Sequence, residues 1–225
     1  MKKTSAILAL MALGVASATA GTAPAPSGKA PAPSGKGPAP SLAVDPCAGP
    51  ISYNNVELLY ANTDTGGYGD SEDGLQLRLE YSPWQNIYVT GAASYTDISG
   101  GETWTLSAGI GGYVALTPNI HLAADAGLFH WDSEYDIITG TTAVVRRTVS
   151  ESDTGWYVRP HVRAKWGCFE AHAGATYIDV DDADDWNWFL QLYYQVAPKW
   201  DITAGYSEFD DSDGETWTIG ARYKF

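Results

Sequence analysis

Basic residues are scarce in this chain. Lys and Arg number 13 against 27 Asp and Glu, a formal charge of −14 over 225 residues. Nucleic-acid backbones are held by clustered Lys and Arg, so this deficit excludes a nucleic-acid partner. It also argues against electrostatic attraction to anionic lipid. Long apolar runs are missing too. No stretch approaches 18 apolar residues, so helical spanning of a membrane is excluded. No stretch keeps a 3.6-residue period. Phosphate-cradling glycine loops, metal-ligand spacings and nucleophile elbows are all absent. Cysteine occurs twice, as Cys47 and Cys168, and histidine four times.

What is present begins with an export signal. Lys2 and Lys3 precede a short apolar region at 7–15, and Ala18-Thr19-Ala20 is an A-x-A cleavage site. Residues 1–20 are therefore predicted to be a signal peptide. No Cys sits at the cleavage point, which argues against a lipoprotein anchor. In an exported protein an even cysteine count permits a Cys47–Cys168 disulfide; two separate buried thiols are the alternative. Residues 21–50 form a Pro/Ala/Gly-rich linker in which APAPSGK recurs at 23–29 and 30–36. Such a segment favours polyproline II and builds no core. Fully extended it spans roughly 80–90 Å. It is a plain spacer or a tether reaching cell-wall material.

From residue 51 the pattern becomes one of period two. In 74–82, Leu75, Leu77, Leu79 and Tyr81 oppose Gln76, Arg78, Glu80 and Ser82. Ten such stretches follow one another: 54–62, 74–82, 86–96, 103–116, 120–130, 155–166, 169–178, 186–196, 200–207 and 214–225. Alternation of this kind marks strands whose two faces meet different surroundings. Tight connections at 83–85, 117–119, 167–168 and 197–199 alternate with longer acidic ones at 63–73, 97–102, 131–154, 179–185 and 208–215. Within the third of these, 134–139 and 143–148 are β-prone and are read as a hairpin protruding above the barrel. Pro160 interrupts a strand on its apolar face and predicts a bulge or local distortion.

The last stretch, GETWTIGARYKF, sets Trp217, Ile219, Ala221, Tyr223 and Phe225 against Thr216, Thr218, Gly220, Arg222 and Lys224. It resembles the terminal strand of bacterial outer-membrane β-barrel proteins, and the chain as a whole resembles small opacity-type barrels. In that family the terminal aromatic is read by the barrel assembly machinery, which gives Trp217, Tyr223 and Phe225 that role here. The expected fold is all-β: a transmembrane, antiparallel, up-and-down barrel over 51–225, with ten strands and eight as the alternative. Aromatics at the strand ends, among them Trp84, Trp166 and Trp200 at one end and Trp104, Trp156 and Trp186 at the other, are the expected interfacial girdles. The expected location is the outer membrane, with the linker in the periplasm and lipid and lipopolysaccharide as surroundings.

The opposite face carries charge in mid-strand: Glu57, Arg78, Glu80, Asp125, Arg159, His161 and Arg163. Pairing of Asp125 with Arg159 and of Glu57 with Arg78 predicts a plugged lumen, hence a structural or surface-interaction role. A narrow porin-like channel for ions or small solutes is the alternative. An outer-membrane protease or lipid A-modifying enzyme is disfavoured, since only His130, beside Asp132 and Ser133, lies near the rim. No cofactor is expected. The acidic run holding Asp181, Asp182, Asp184 and Asp185 offers Ca²⁺ or Mg²⁺ oxygen ligands, but its spacing matches no EF-hand.

Overall fold

The computed structural model describes residues 47, 49–64, 71–98, 101–139, 145–180, 183–210 and 214–225. The predicted signal peptide and the APAPSGK repeats lie outside these residues. The strands are β1 (Asn55–Asp64), β2 (Glu72–Trp84), β3 (Ile87–Ile98), β4 (Gly101–Thr117), β5 (Ile120–Thr139), β6 (Val145–Trp166), β7 (Phe169–Val180), β8 (Ala183–Ala197), β9 (Trp200–Phe209) and β10 (Glu215–Lys224). Each pairs antiparallel with its sequence neighbours, and β10 pairs with β1 to close the barrel. The closing register runs from Asn55↔Lys224 to Asp64↔Glu215. All ten strands that alternation predicts are present, so the eight-stranded alternative falls.

Burial is inverted relative to a water-soluble barrel. Arg163 and Arg222 are 2% and 1% exposed, whereas Leu106 and Leu128 are 59% and 66% exposed. Arginine is almost never fully buried unless paired, so the polar side is the packed interior. The outward Leu, Ile and Val side chains of β1, β2, β4 and β5 suit hydrocarbon, and the chain crosses a membrane by strands. Among the described residues no helix is long and apolar enough to cross.

Aromatic rings gather at both ends of this apolar belt. At the loop end Tyr95 packs on Trp104, Tyr177 lies between Trp156 and Trp186, and Tyr206 packs on Trp217. Their phenols point at acids: Tyr60 donates to Asp73 at 2.5 Å, Tyr177 to Asp184 at 3.2 Å, and Tyr206 to Glu208 and Glu215 at 3.0 Å. An apolar ring with a wet tip is what an interface selects. At the turn end Phe169 meets Tyr194 and Trp200 meets Tyr223.

The turn end is tightly closed. Trp166↔Phe169 leaves only Gly167 and Cys168 in the β6–β7 connection, and Gly167 takes φ +57°, a conformation glycine adopts without a Cβ clash. Register shifts mark the other three turns, between Tyr81 and Trp84, Ala115 and Thr117, and Gln195 and Ala197.

At the loop end two expected loops are shortened, and the expected protruding hairpin of 134–139 and 143–148 is met by a continuous β5–β6 ladder. Strands continue into two of the predicted loops, leaving only residues 99–100 between β3 and β4 and 181–182 between β7 and β8. The third loop is mostly ladder: β5 and β6 pair without interruption from Ile120↔Ala164 to Thr139↔Val145. The β6–β7 ladder begins at Trp156↔Asp179 and the β4–β5 ladder at Gly101↔Tyr135, so the hairpin rises beyond both neighbours. Pro160 brings the expected local distortion, a gap in the ladder, but no bulge. The β6–β7 register is the same on either side of it, Val158↔Tyr177 and His161↔Gly174, with the rungs at Arg159 and Pro160 missing. A residue without an N–H removes a ladder bond but adds no residue, so register survives.

Candidate functional site

The lumen is stratified, and alternation along each strand decides which side chains enter it. Nearest the turn end sits a layer built around Tyr53, which precedes β1. Its ring stacks on Tyr113 with centroids 4.1 Å apart and leans on Tyr88 at 4.9 Å. The Arg163 guanidinium carbon lies 4.1 Å from the Tyr53 centroid, a cation–π contact inside the barrel. The Tyr53 hydroxyl is 3.4 Å from His121 Nδ1. Burial raises the Tyr53 phenol well above its ordinary range, only partly opposed by the Arg163 charge, so it stays neutral.

Above and beside it lie three centres of charge. Glu80 bonds the Arg163 guanidinium and accepts from Asn55 Nδ2 at 2.9 Å. Asp125 accepts from Arg159 Nε at 3.1 Å and from the Tyr88 hydroxyl at 3.0 Å, with His161 Nδ1 at 3.8 Å. Tyr88 reaches Asp125 because β4 has Gly111 beneath its ring; a Cβ there would collide with that ring and lie 2.7 Å from Asp125 Cβ. In the third centre Arg222 forks onto Glu170, at 3.1 and 2.8 Å, and its Nε donates to Asp201 at 2.7 Å. Lys224 also donates to Asp201, at 2.8 Å, and His172 Nε2 lies 2.6 Å from Glu170. The Tyr193 ring lies 3.6 Å under Arg222, and its hydroxyl donates to Glu57 at 2.9 Å.

Toward the loop end charge gives way to hydroxyl pairs across neighbouring strands: Thr63–Thr216 at 3.0 Å, Ser94–Thr105 at 2.5 Å and Thr103–Ser133 at 3.0 Å.

These positions sort the sequence candidates. Asp125, Arg159 and His161 come together, and so do Glu80 and Arg163. Glu57 and Arg78 are opposite each other in register, yet the Glu57 carboxylate hydrogen-bonds Tyr193 across the lumen instead. Among the described residues no ion pair joins Glu57 to Arg78 within 4 Å, which corrects that expected pairing. Glu170, Asp201 and Arg222 were not among the candidates. Asp201 and Arg222 are register partners and were legible as such, since both sit on polar faces of consecutive strands. Glu170 reaches Arg222 from β7, and no local pattern announces it.

The enzyme candidates separate. His130 turns outward and lies 2.8 Å from Thr154 Oγ1, whereas Ser133 turns inward to Thr103, so they occupy opposite faces of β5. Among the acidic candidates, Asp181 and Asp182 lie outside the described residues, Asp184 accepts from Tyr177, and Asp185 accepts from the Trp186 N–H. No group of three His, Cys, Asp or Glu able to hold a metal is found among the described residues. Trp217 and Phe225 face outward at opposite ends of β10, and Tyr223 lies beside Trp200.

Cys47 and Cys168 are joined by a disulfide with Cα atoms 4.7 Å apart. The short segment after Cys47 runs into the turn-end mouth, where Ile51 and Tyr53 are buried.

No protein-family model and no curated protein matches the chain. Solved outer-membrane barrels resemble its fold. The attachment invasion locus protein of Yersinia pestis, solved with the heparin analogue sucrose octasulfate, is 16% identical over 76% of this chain and 95% of that one, with a TM-score of 0.38. The NanC porin is 8% identical over 76% and 100%, at 0.46. The β domain of the Bordetella autotransporter BrkA is 15% identical over 76% and 99%, at 0.47.

Proposed function

We propose that this chain is a bacterial outer-membrane barrel with a closed lumen, and that it works through contacts made at its loop end rather than by passing solutes. The turn end then faces the periplasm, the side on which the predicted linker, residues 21–50, would serve as a spacer or cell-wall tether. The observation that carries the reading is the cross-lumen bond between Glu80 on β2 and Arg163 on β6, capped by the Tyr53 stack. Arg163, held by the Glu80 carboxylate, the Ser52 carbonyl and the Tyr53 ring, has little freedom to retreat, and beside it Arg222 forks onto Glu170, bonds Asp201 and stacks on Tyr193. The loop end offers the converse: an acidic, tyrosine-rich rim and a two-stranded ribbon standing clear of its neighbours. A ribbon of that kind presents strand edges to the strand of a partner protein. Lipopolysaccharide surrounds the girdle, and the outward aromatics of β10 serve barrel assembly.

The test is planar-bilayer conductance of the refolded full chain. The expected outcome is no steady unitary current across the range where small porins conduct. Steady, voltage-stable channels would overturn the closed-lumen reading and restore the narrow-pore one.

A further inference from the structure

The outer wall is not smooth over the turn-end half of β7 to β10. A groove of about 360 Å³ lies there, lined by Phe169, Ala171, Leu192, Tyr194, Ile202 and Ala204. Their strand neighbours Glu170, Tyr193 and Thr203 are buried in the lumen, so alternation puts all six on the outward face. Short and long side chains alternate around the wall in register: Ala171↔Leu192, Leu192↔Ala204 and Ala204↔Ile219. An alanine between longer side chains leaves a depression, and two such depressions fall within this groove.

The groove opens on the apolar belt, so what fills it is hydrocarbon. It spans two outward rungs of β8 and β9. Tyr194↔Ile202 lies nearer the turn, and Leu192↔Ala204 nearer the middle of the belt. A chain entering from the interface passes over the first and reaches the hollow at the second. Lipid tails are as apolar as leucine, so no hydrophobic term holds one chain here rather than elsewhere on the wall. What holds it is packing, because a hollow left unfilled forfeits dispersion contacts along its lining.

A head group is also provided for. Of the residues in the four turns, only Lys199 carries a charged side chain, and it lies in the β8–β9 turn directly beyond these rungs. It is exposed, and its ammonium lies 5.7 Å from the centroid of the outer-wall Tyr223 ring, so it stays beside the wall. The acids of this end, Glu80, Glu170 and Asp201, are buried. The net negative charge of the chain therefore does not describe this surface, which offers a cation at head-group level.

We propose that the groove holds one acyl chain of an anionic phospholipid, with the lipid phosphate at Lys199. The turn end facing the periplasm puts this lipid in the periplasmic leaflet. The site lies outside the lumen, so it stands whether or not the barrel conducts.

Native mass spectrometry of the refolded full chain tests this, in micelles doped equally with phosphatidylglycerol and phosphatidylcholine of the same acyl chains. A single lipid per barrel should survive detergent removal. Phosphatidylglycerol should outnumber phosphatidylcholine about fivefold, the contribution of one lysine at a lipid surface. Ala204→Leu fills the hollow with a side chain suited to hydrocarbon, and should lose the retained lipid of either head group. Ala171→Leu should do the same. Lys199→Gln, in an exposed turn, should keep a lipid but lose the preference. Ala126→Leu, outward on β5, should change neither. The compact band on unheated gels checks that each variant is folded. Retention unaltered by both groove variants would overturn the proposal. So would equal loss in Ala126→Leu, which would mark an unspecific annulus, or a preference unchanged in Lys199→Gln. A lipid-free dimer that Ala204→Leu separates would also overturn it, making the groove a contact between two copies of the chain.

Discussion

Two arginines show what single residues contribute here. Arg163 and Arg222 are each almost wholly buried, each bonded to carboxylate and each stacked on a tyrosine ring. A buried ion pair adds little over a well-packed apolar pair, but breaking one side leaves an uncompensated charge. Arg163→Met should therefore destabilise the barrel by about 3–5 kcal/mol, because Glu80 would retain only Asn55. Adding Glu80→Leu should return most of that loss. Urea midpoints in micelles for the two single variants and the double variant measure the coupling, and additive losses would refute it. The same residues mark how far the sequence could be read. Asp125–Arg159 is legible because both lie on polar faces of consecutive strands that meet in register. Glu80–Arg163 and Glu170–Arg222 join strands that are not neighbours, and alternation carries no information about reach across a lumen. The Glu57 pairing departs for the same reason: Arg78 is its register partner, but its carboxylate turns to Tyr193 on β8, three strands away. Tyr53 escaped notice because it precedes the first alternating stretch.

At the scale of elements, alternation decided nearly everything. A one-residue slip would move every charge to the lipid face, so the ten strands and their order follow from the pattern itself. Strand ends followed in the β5–β6 hairpin, whose residues read as β-prone, but not at 97–102 and 179–185, where acidic residues read as loop although the strands continue into them. The closing element is β10, and its fit to β1 depends on Gly220. A Cβ at that position would run into the Leu58 carbonyl oxygen and crowd the Leu59 Cα. These are backbone atoms that cannot step aside. Gly220→Val should thus obstruct β1–β10 pairing while leaving the outward Trp217, Ile219 and Phe225 untouched. The expected result is a loss of the compact, heat-modifiable band on unheated gels, with most protein migrating as unfolded chain. Full recovery of the compact band would mean that closure tolerates a side chain there.

For the molecule as a whole, the decisive property is that its inside and outside are exchanged. Fourteen net negative charges suggest a freely soluble protein, yet the middle of the outer wall is apolar, and the acids among the described residues sit in the lumen or around the loop-end rim. This distribution makes a prediction that separates a membrane barrel from a soluble one of the same topology. Leu77, midway along β2, is 49% exposed. On a soluble barrel Leu77→Arg would be a surface substitution, changing stability by no more than about 0.5 kcal/mol. In hydrocarbon near the bilayer midplane it should cost about 2–4 kcal/mol. Leu75→Arg, nearer the loop-end interface, should cost less, since the penalty declines with depth and the guanidinium can snorkel. Unfolding in lipid bilayers measures both. A graded penalty, larger at Leu77, is the expected result. Equal and negligible costs at the two sites would mean the apolar belt faces water, and the inverted burial of Arg163 and Arg222 would need another explanation.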